Sequence, residues 1–341
     1  MSSNIDRQIE RLLGFHMEAE VARIVTAMRD ILGSQLRKRG LVVGISGGID
    51  SSVCTALAVR AVGKGKVFGL LMPERDSSSG SVTKGRMVAE LCGIEHTLED
   101  IAPALEAIGC YRWRDEAMRS AVPDYQPDWK SKITISGGTE GQVNFFRLVV
   151  EDPAGRQIES RLALKAYLQI VAATSFKQRV RKMLEYFHAD RLNYAVIGTP
   201  NRLEYDQGFF VKNGDGSADI KPIAHLYKSQ VYMLARHLGL PEVICNAVPS
   251  TDTYSLTQGQ DEFYFALPYK EMDLALLHYN RQLPAEALAQ VLGMTAAQAQ
   301  LIYQDIEAKR RTTAPLHWPA ITVEKVVGPQ TTPAPTLEQA I

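Results

Sequence analysis

An open parallel sheet with helices on both faces, an α/β fold, is what the sequence predicts, and two observations predict it. Short unbroken apolar runs alternate with stretches of helical period, which is the order of parallel βαβ units. The first of those runs ends in a glycine-rich bend that leads straight into a helix, the kind of connection from which open α/β sheets present ligands.

The elements follow in order. Val21, Ile24, Val25, Met28, Ile31, Leu32 and Leu36 recur at helical spacing, so residues 17–38 read as an amphipathic helix. Leu41-Val42-Val43-Gly44-Ile45 has the length and composition of a buried strand, and Asp50 to Val62 reads as the helix after it. Val67 to Leu71 is a second strand, residues 82–93 a helix, and a helix at about 164–188 feeds a buried strand at Tyr194–Ile197. Residues 111–162 interrupt the pattern. Within them Val143–Val150 and Arg156–Leu164 read as strands around the turn residues Asp152-Pro153-Ala154-Gly155, an inserted hairpin module. Residues 269–310 return to helix, and Thr312–Ile341, rich in Pro and Thr, is expected to be partly irregular. Residues 1–341 read as a single domain carrying this insertion.

Composition narrows the function. Apolar residues make up 45% and charged residues 22%, enough to fill a core. Lys+Arg and Asp+Glu both number 38, so no basic excess points to a nucleic-acid partner. Cys54, Cys92, Cys110 and Cys245 lie far apart, neither zinc-ligand nor redox-pair spacing, and read as buried reduced thiols of a cytoplasmic protein. The charged N-terminus lacks the apolar core of a secretion signal, and no apolar run approaches the roughly 20 residues of a membrane helix, so no membrane partner is expected.

The chemistry concentrates at Ser46-Gly47-Gly48-Ile49-Asp50-Ser51-Ser52, between the first strand and its helix. Two glycines let the backbone turn tightly and approach a ligand, and the free N–H groups of a helix start favour an anion. The hydroxyls of Ser46, Ser51 and Ser52 add donors. Asp50 would repel a phosphate unless a cation lies between them, which points to magnesium. The alternative is a serine-rich turn that only caps a helix. Neither the lysine-bearing GxxxxGK[ST] loop nor a GxGxxG turn occurs here. The second cluster, Ile197-Gly198-Thr199-Pro200-Asn201-Arg202-Leu203-Glu204, begins at the C-terminal end of an expected strand, and Glu204 is placed to complete a metal site with Asp50. After it, Lys212, Asp215 and Asp219 put charge into a glycine-rich loop, where a solvated polar loop is the equal alternative.

The SGGIDSS bend resembles the pyrophosphate-gripping loop of the N-type ATP pyrophosphatases, which cleave ATP between the α and β phosphates. The stretch GTPNRLEYDQGFFVKNGDGSADIKPIAHLYKSQVYMLARHLGLP is similar, nearly position by position, to the NAD synthetase family within that group. The resemblance covers about 41–100, 174–273 and 300–315. It implies an adenine nucleotide alpha hydrolase-like fold and a homodimer, with ATP, ammonia and deamido-NAD as substrates. By position it implies that Ser46 through Ser52, Met72, Thr199, Lys228 and Ser250 meet ATP, that Asp50 and Glu204 hold magnesium, and that Arg179, Lys212, Asp219 and Lys309 meet deamido-NAD. Ser250 stands where the family has threonine, Ser175 where it often has asparagine, and Ala308 replaces the histidine of a His-Lys pair. These last two departures, with the insertion, motivate an alternative in which the same adenylation serves a different carboxylic acid. Asp50 and Lys228 are the expected catalytic side chains, and Asp215 is a candidate to orient or deprotonate the incoming ammonium, a structural turn aspartate being the alternative. About 40 residues precede the first strand, too few for the amidase domain of glutamine-dependent relatives, so free ammonia is the expected nitrogen donor.

Overall fold

Two helices precede the first strand in the computed structural model, which describes residues 2–136, 145–249, 253–256, 258–259, 264–265 and 267–324. Helix α1 spans Ser2–Leu13 and α2 spans Met17–Asp30. The His16 ring accepts a hydrogen bond from the Ala19 N–H at the start of α2, and Val21, Ile24, Val25 and Met28 form its buried face. The chain continues as a wider turn of helix over Ile31–Leu36 and reverses at Arg37, whose φ is 53°. The expected helix over 17–38 is therefore two pieces. Helix α1 was not expected, although Ile5, Ile9 and Leu13 recur every four residues and Ile9 and Leu13 are buried.

Strand β1 (Leu41–Gly44) runs into α3 (Ile49–Val62), and β2 (Val67–Leu71) into α4 (Ser79–Cys92). Every residue of β2 is buried, as are Leu41, Val42 and Val43, because helices cover both faces of this sheet. Strand β3 (Glu95–Leu98) was not expected: its residues are half-exposed to exposed, so it carries no apolar run. Helices α5 (Ala102–Ala107) and α6 (Cys110–Ala121) follow.

Strands β4 (Lys130–Ser136), β5 (Phe145–Glu151) and β6 (Gln157–Arg161) form a separate antiparallel sheet in the order β4-β5-β6. The insertion thus differs from the expected hairpin in two ways. It opens with a helix, α6, that packs along α7 (Leu164–Leu192), and its sheet has a third strand, β4. In β4 the buried Ser131 and Ile133 alternate with more exposed neighbours, a period-2 pattern weakened by serine at a core position. Ile133, Leu148 and Val150 pack with Ala166 and Ile170 of α7 and with Tyr254.

Strand β7 (Ala195–Val196) completes the main sheet, whose order is β3-β2-β1-β7 with every pair parallel. Helices α8 (Arg202–Gln207), α9 (Lys228–His237), α10 (Glu242–Cys245), α11 (Tyr269–Asn280), α12 (Ala285–Leu292) and α13 (Ala296–His317) finish the described chain. Helix α13 runs past Thr312 to His317, and residues 318–324 beyond it form neither helix nor strand. Its end is tied down: the Lys212 ammonium donates to the carbonyls of Pro315 (2.8 Å) and Trp318 (3.2 Å). The rest of the expected tail, 325–341, lies outside the described residues. Phe265 is buried in a second core cluster, against which Tyr264 and Tyr269 pack.

Candidate active site

A cavity of about 520 Å³ opens at the C-terminal ends of β1, β2 and β7. The bend after β1 forms its floor. Gly47 has φ +79°, a conformation that glycine adopts without penalty, and Gly48 is extended before the first turn of α3. The Gly48 N–H donates to Ser46 Oγ (3.2 Å), and the Ser51 hydroxyl donates to the Gly48 carbonyl (3.1 Å). Ser46, Gly47, Gly48, Ile49, Asp50 and Ser51 all line the cavity. Ser52 does not belong with them. Its side chain is buried and its hydroxyl donates to the Gly48 carbonyl (2.7 Å), so it braces the bend from inside.

Asp50 and Glu204 meet around Lys228. The Lys228 ammonium pairs with Asp50 Oδ2 and lies 3.7 Å from Glu204 Oε1. Asn201, fully buried, organises both acids: its amide donates to Asp50 Oδ1 (3.1 Å), and its N–H donates to Glu204 Oε2 (3.2 Å). The Asn201 side-chain oxygen in turn accepts from the N–H groups of Leu203 and Glu204 at the start of α8. No role was expected for Asn201, although Asn followed three residues later by Glu is a readable capping pattern. Burial pushes the Lys228 pKa down, but the two carboxylates outweigh it and hold the ammonium well above its usual range.

Lys228 owes its place to a second buried acid. Asp273 of α11 accepts from the N–H of Lys228 (3.2 Å) and of Ser229 (2.6 Å), capping α9 where the catalytic candidate begins. Burial raises the Asp273 carboxyl to about 7 despite those bonds. No local pattern reveals a cap supplied from 45 residues away in the chain.

Met72 and Thr199 line the same cavity, and Ser250 lies outside the described residues. Arg181 Nε donates to the Met72 carbonyl (3.1 Å). Asp215 also faces the cavity, and its Oδ1 accepts from the Val211 N–H (2.7 Å), closing a turn. Burial raises the Asp215 pKa.

The other four candidates lie elsewhere: among the residues that line this cavity, none is Arg179, Lys212, Asp219 or Lys309. Arg179 Nε donates to the Lys212 carbonyl (3.4 Å), so these two are neighbours. Asp219 accepts from the Val196 N–H (2.7 Å) and from the hydroxyl of Tyr186 (3.4 Å), which stands seven residues, two helical turns, beyond Arg179 on α7. Lys309 Nζ donates to the Tyr264 carbonyl (2.7 Å) and pairs with Asp305 (2.6 Å).

Against the cavity stands a buried charge cluster with no signal in the sequence. Lys177 Nζ lies 2.9 Å from Glu74 Oε1 and 2.7 Å from Asp76 Oδ2, and donates to the Thr253 carbonyl (2.8 Å). It joins the segment after β2 to the loop around residue 253. The insertion supports the same loop: the Leu256 N–H donates to the Ser131 carbonyl (3.1 Å), and the Gln258 amide donates to the Ile133 carbonyl (2.6 Å).

A sequence model of the NAD synthase family matches residues 20–125 and 152–313. The chain belongs to that family. The NAD synthase match leaves 126–151 uncovered, the stretch that carries β4 and β5. The chain is 59% identical over 300 residues to an NH(3)-dependent NAD(+) synthetase of Rhizobium meliloti (strain 1021), covering 88% of this chain and 90% of that one. It is 56% identical over 315 residues to one of Mesorhizobium japonicum, covering 92% and 99%. Among solved structures, an NMN synthetase from Francisella tularensis superposes with a TM-score of 0.63 at 24% identity, over 90% of this chain and 98% of that one. An NH3-dependent NAD synthetase from Campylobacter jejuni superposes with a TM-score of 0.59 at 19% identity, over 91% and 100%. These two likenesses concern the fold.

Proposed function

We propose that this chain is an ammonia-dependent NAD synthetase, which amidates deamido-NAD with ATP and ammonia and yields NAD, AMP and pyrophosphate. One observation carries the proposal: the glycine-serine bend opens into the cavity beside Asp50, Glu204 and Lys228. The acid's carboxylate oxygen attacks the α-phosphorus of ATP, the bond to the β-phosphate oxygen breaks, and pyrophosphate leaves with the electron pair. The N–H groups and hydroxyls of Ser46 to Ser51 hold the departing phosphates at the start of α3. The Lys228 ammonium, fixed by its paired acids, offsets charge as it develops. Ammonia then attacks the acyl carbon, the bond from that carbon to the AMP oxygen breaks, AMP departs with the electron pair, and the nitrogen gives up one proton.

Asp50 and Glu204 are the residues that would hold magnesium. Two carboxylates beside a cavity with room for a nucleotide suit this ion, which is held by one or two acids and by nucleotide phosphates. Bound there, it would screen the phosphates from both acids. Asp215, cavity-facing with a raised pKa, is assigned to the incoming ammonium. Asp215→Asn should slow amide formation while ATP–pyrophosphate exchange persists; an unchanged amidation rate would leave Asp215 as a turn residue.

Arg179, Lys212, Asp219 and Lys309 are assigned to deamido-NAD. The patch around Arg179 on α7 adjoins exposed apolar side chains, Met183 and Phe187, which supports a homodimer packed on this helix. Four free cysteines support a reducing, cytoplasmic setting, and among the described residues no helix is long and apolar enough to cross a membrane.

A second reading keeps the adenylation and changes the acid. It is favoured by Ala308 and by the engagement of Lys309 with Tyr264 and Asp305. One assay separates the two: purified protein with ATP, magnesium, ammonium and deamido-NAD should accumulate NAD. AMP formation with nicotinate mononucleotide or another acid, and none with deamido-NAD, would select the second.

A further inference from the structure

Among the described residues, the cationic side chains that line the cavity are Lys84, Lys177, Arg181, Lys182 and Lys228. Four of them are engaged. Lys177 is held by Glu74 and Asp76, Lys182 lies 2.6 Å from Glu185, and Arg181 is bonded to the Met72 carbonyl. Lys228 is shared by Asp50 and Glu204, so that triad carries one net negative charge at the place where a triphosphate would sit. Lys84 differs from all of these: it makes no hydrogen bond or ion pair among the described residues.

Its backbone is fixed against the bend. A Cβ added at Gly47 would stand 2.7 Å from Lys84 Cβ, and one added at Gly85 would stand 2.9 Å from the Ile45 carbonyl. Glycine at both positions therefore lets α4 lie directly on the bend, with the root of the Lys84 side chain over Gly47. The lysine stem is long and flexible, and its ammonium is a mobile point charge suited to phosphate.

We infer that Lys84 grips the β- and γ-phosphates of the nucleotide and so stabilises the pyrophosphate that leaves. The inference deepens the function proposed above and rests on it. It adds a residue to the machinery and a division of labour. Lys228 is a fixed cation locked to the acids, whereas Lys84 is a free one that follows the leaving group.

Pyrophosphate with magnesium, and AMP as a control, can be titrated calorimetrically into the full-length protein and its Lys84→Ala and Lys84→Arg variants. Lys84→Ala should weaken pyrophosphate binding about 10- to 100-fold, the worth of one hydrogen bond between charged groups. AMP affinity should stay unchanged, and Lys84→Arg should keep most of the pyrophosphate affinity. Steady-state assays of Lys84→Ala should show pyrophosphate product inhibition relieved by the same factor. Unchanged pyrophosphate binding in Lys84→Ala, or an equal loss of pyrophosphate and AMP, would overturn the role of Lys84. Wild-type protein that forms no AMP and pyrophosphate from ATP with any nicotinate nucleotide would instead overturn the function on which it rests.

Discussion

Replacing Lys228 by methionine leaves Asp50 and Glu204 facing each other with no cation between them. Two losses follow, one chemical and one structural. The developing charge on pyrophosphate loses its fixed counter-charge, so Lys228→Met should lower ATP–pyrophosphate exchange by about 100-fold or more. The uncompensated acids should also destabilise the fold by about 3 kcal/mol. Exchange kinetics and chemical denaturation read the two effects separately. A variant destabilised but fully active would show that Lys228 is a structural tie. At this scale the sequence was informative where chemistry is local. Ser46 to Ser51 and Glu204, read from their own chemistry, and Thr199 and Lys228, read from the family resemblance, all line one cavity. It was silent on Asn201's link to Asp50, on Lys177 with Glu74 and Asp76, and on Ser52's inward turn, because these depend on side-chain direction and long-range packing.

Helix α9 begins at Lys228, proposed as the fixed counter-charge, and α11 supplies its cap through Asp273. The Asp273 carboxyl is raised from its ordinary 3.8 to about 7, so the folded protein keeps a proton that the unfolded chain releases between those pH values. Its contribution to stability is greatest below pH 4 and declines as pH rises toward 7, by up to about 4 kcal/mol. The stability advantage of wild type over Asp273→Asn should therefore narrow across pH 4–7, as urea denaturation at several pH values would measure. An advantage that widened with pH would mean that Asp273 is an ordinary ionised cap. Elements with unbroken apolar runs, β1 and β2, were legible in the sequence to within a residue. Strand β3 was not, because a half-exposed edge strand lacks that pattern. Strand β4 was missed because Ser131 breaks its apolar alternation, yet β4 is the strand that holds Leu256 and Gln258.

At the scale of the whole molecule, the cavity and the Arg179–Lys212 patch are two surfaces joined by α7. Arg181, Lys182 and Glu185 of that helix line the cavity, while Met183 and Phe187 are exposed beside Arg179 and Tyr186. A homodimer formed on this face would bury those apolar side chains next to the residues assigned to deamido-NAD. Phe187→Asp should shift the protein toward monomer in light scattering and raise the KM for deamido-NAD more than that for ATP. An unchanged mass would place the interface elsewhere. The fold class was legible as a whole because the parallel sheet is covered on both faces. The separation of the cavity from the Arg179–Lys212 patch was not, since it arises from which side of one long helix each residue occupies.

Phosphorus NMR of a complete reaction tests the central claim most directly, that ATP is cut between its α and β phosphates at the bend after β1. With deamido-NAD, ammonium and magnesium present, AMP and pyrophosphate should appear in equal amounts and in step with NAD, and Asp50→Ala should abolish all three signals together. ADP and orthophosphate as the products, or pyrophosphate still released at the wild-type rate by Asp50→Ala, would contradict it.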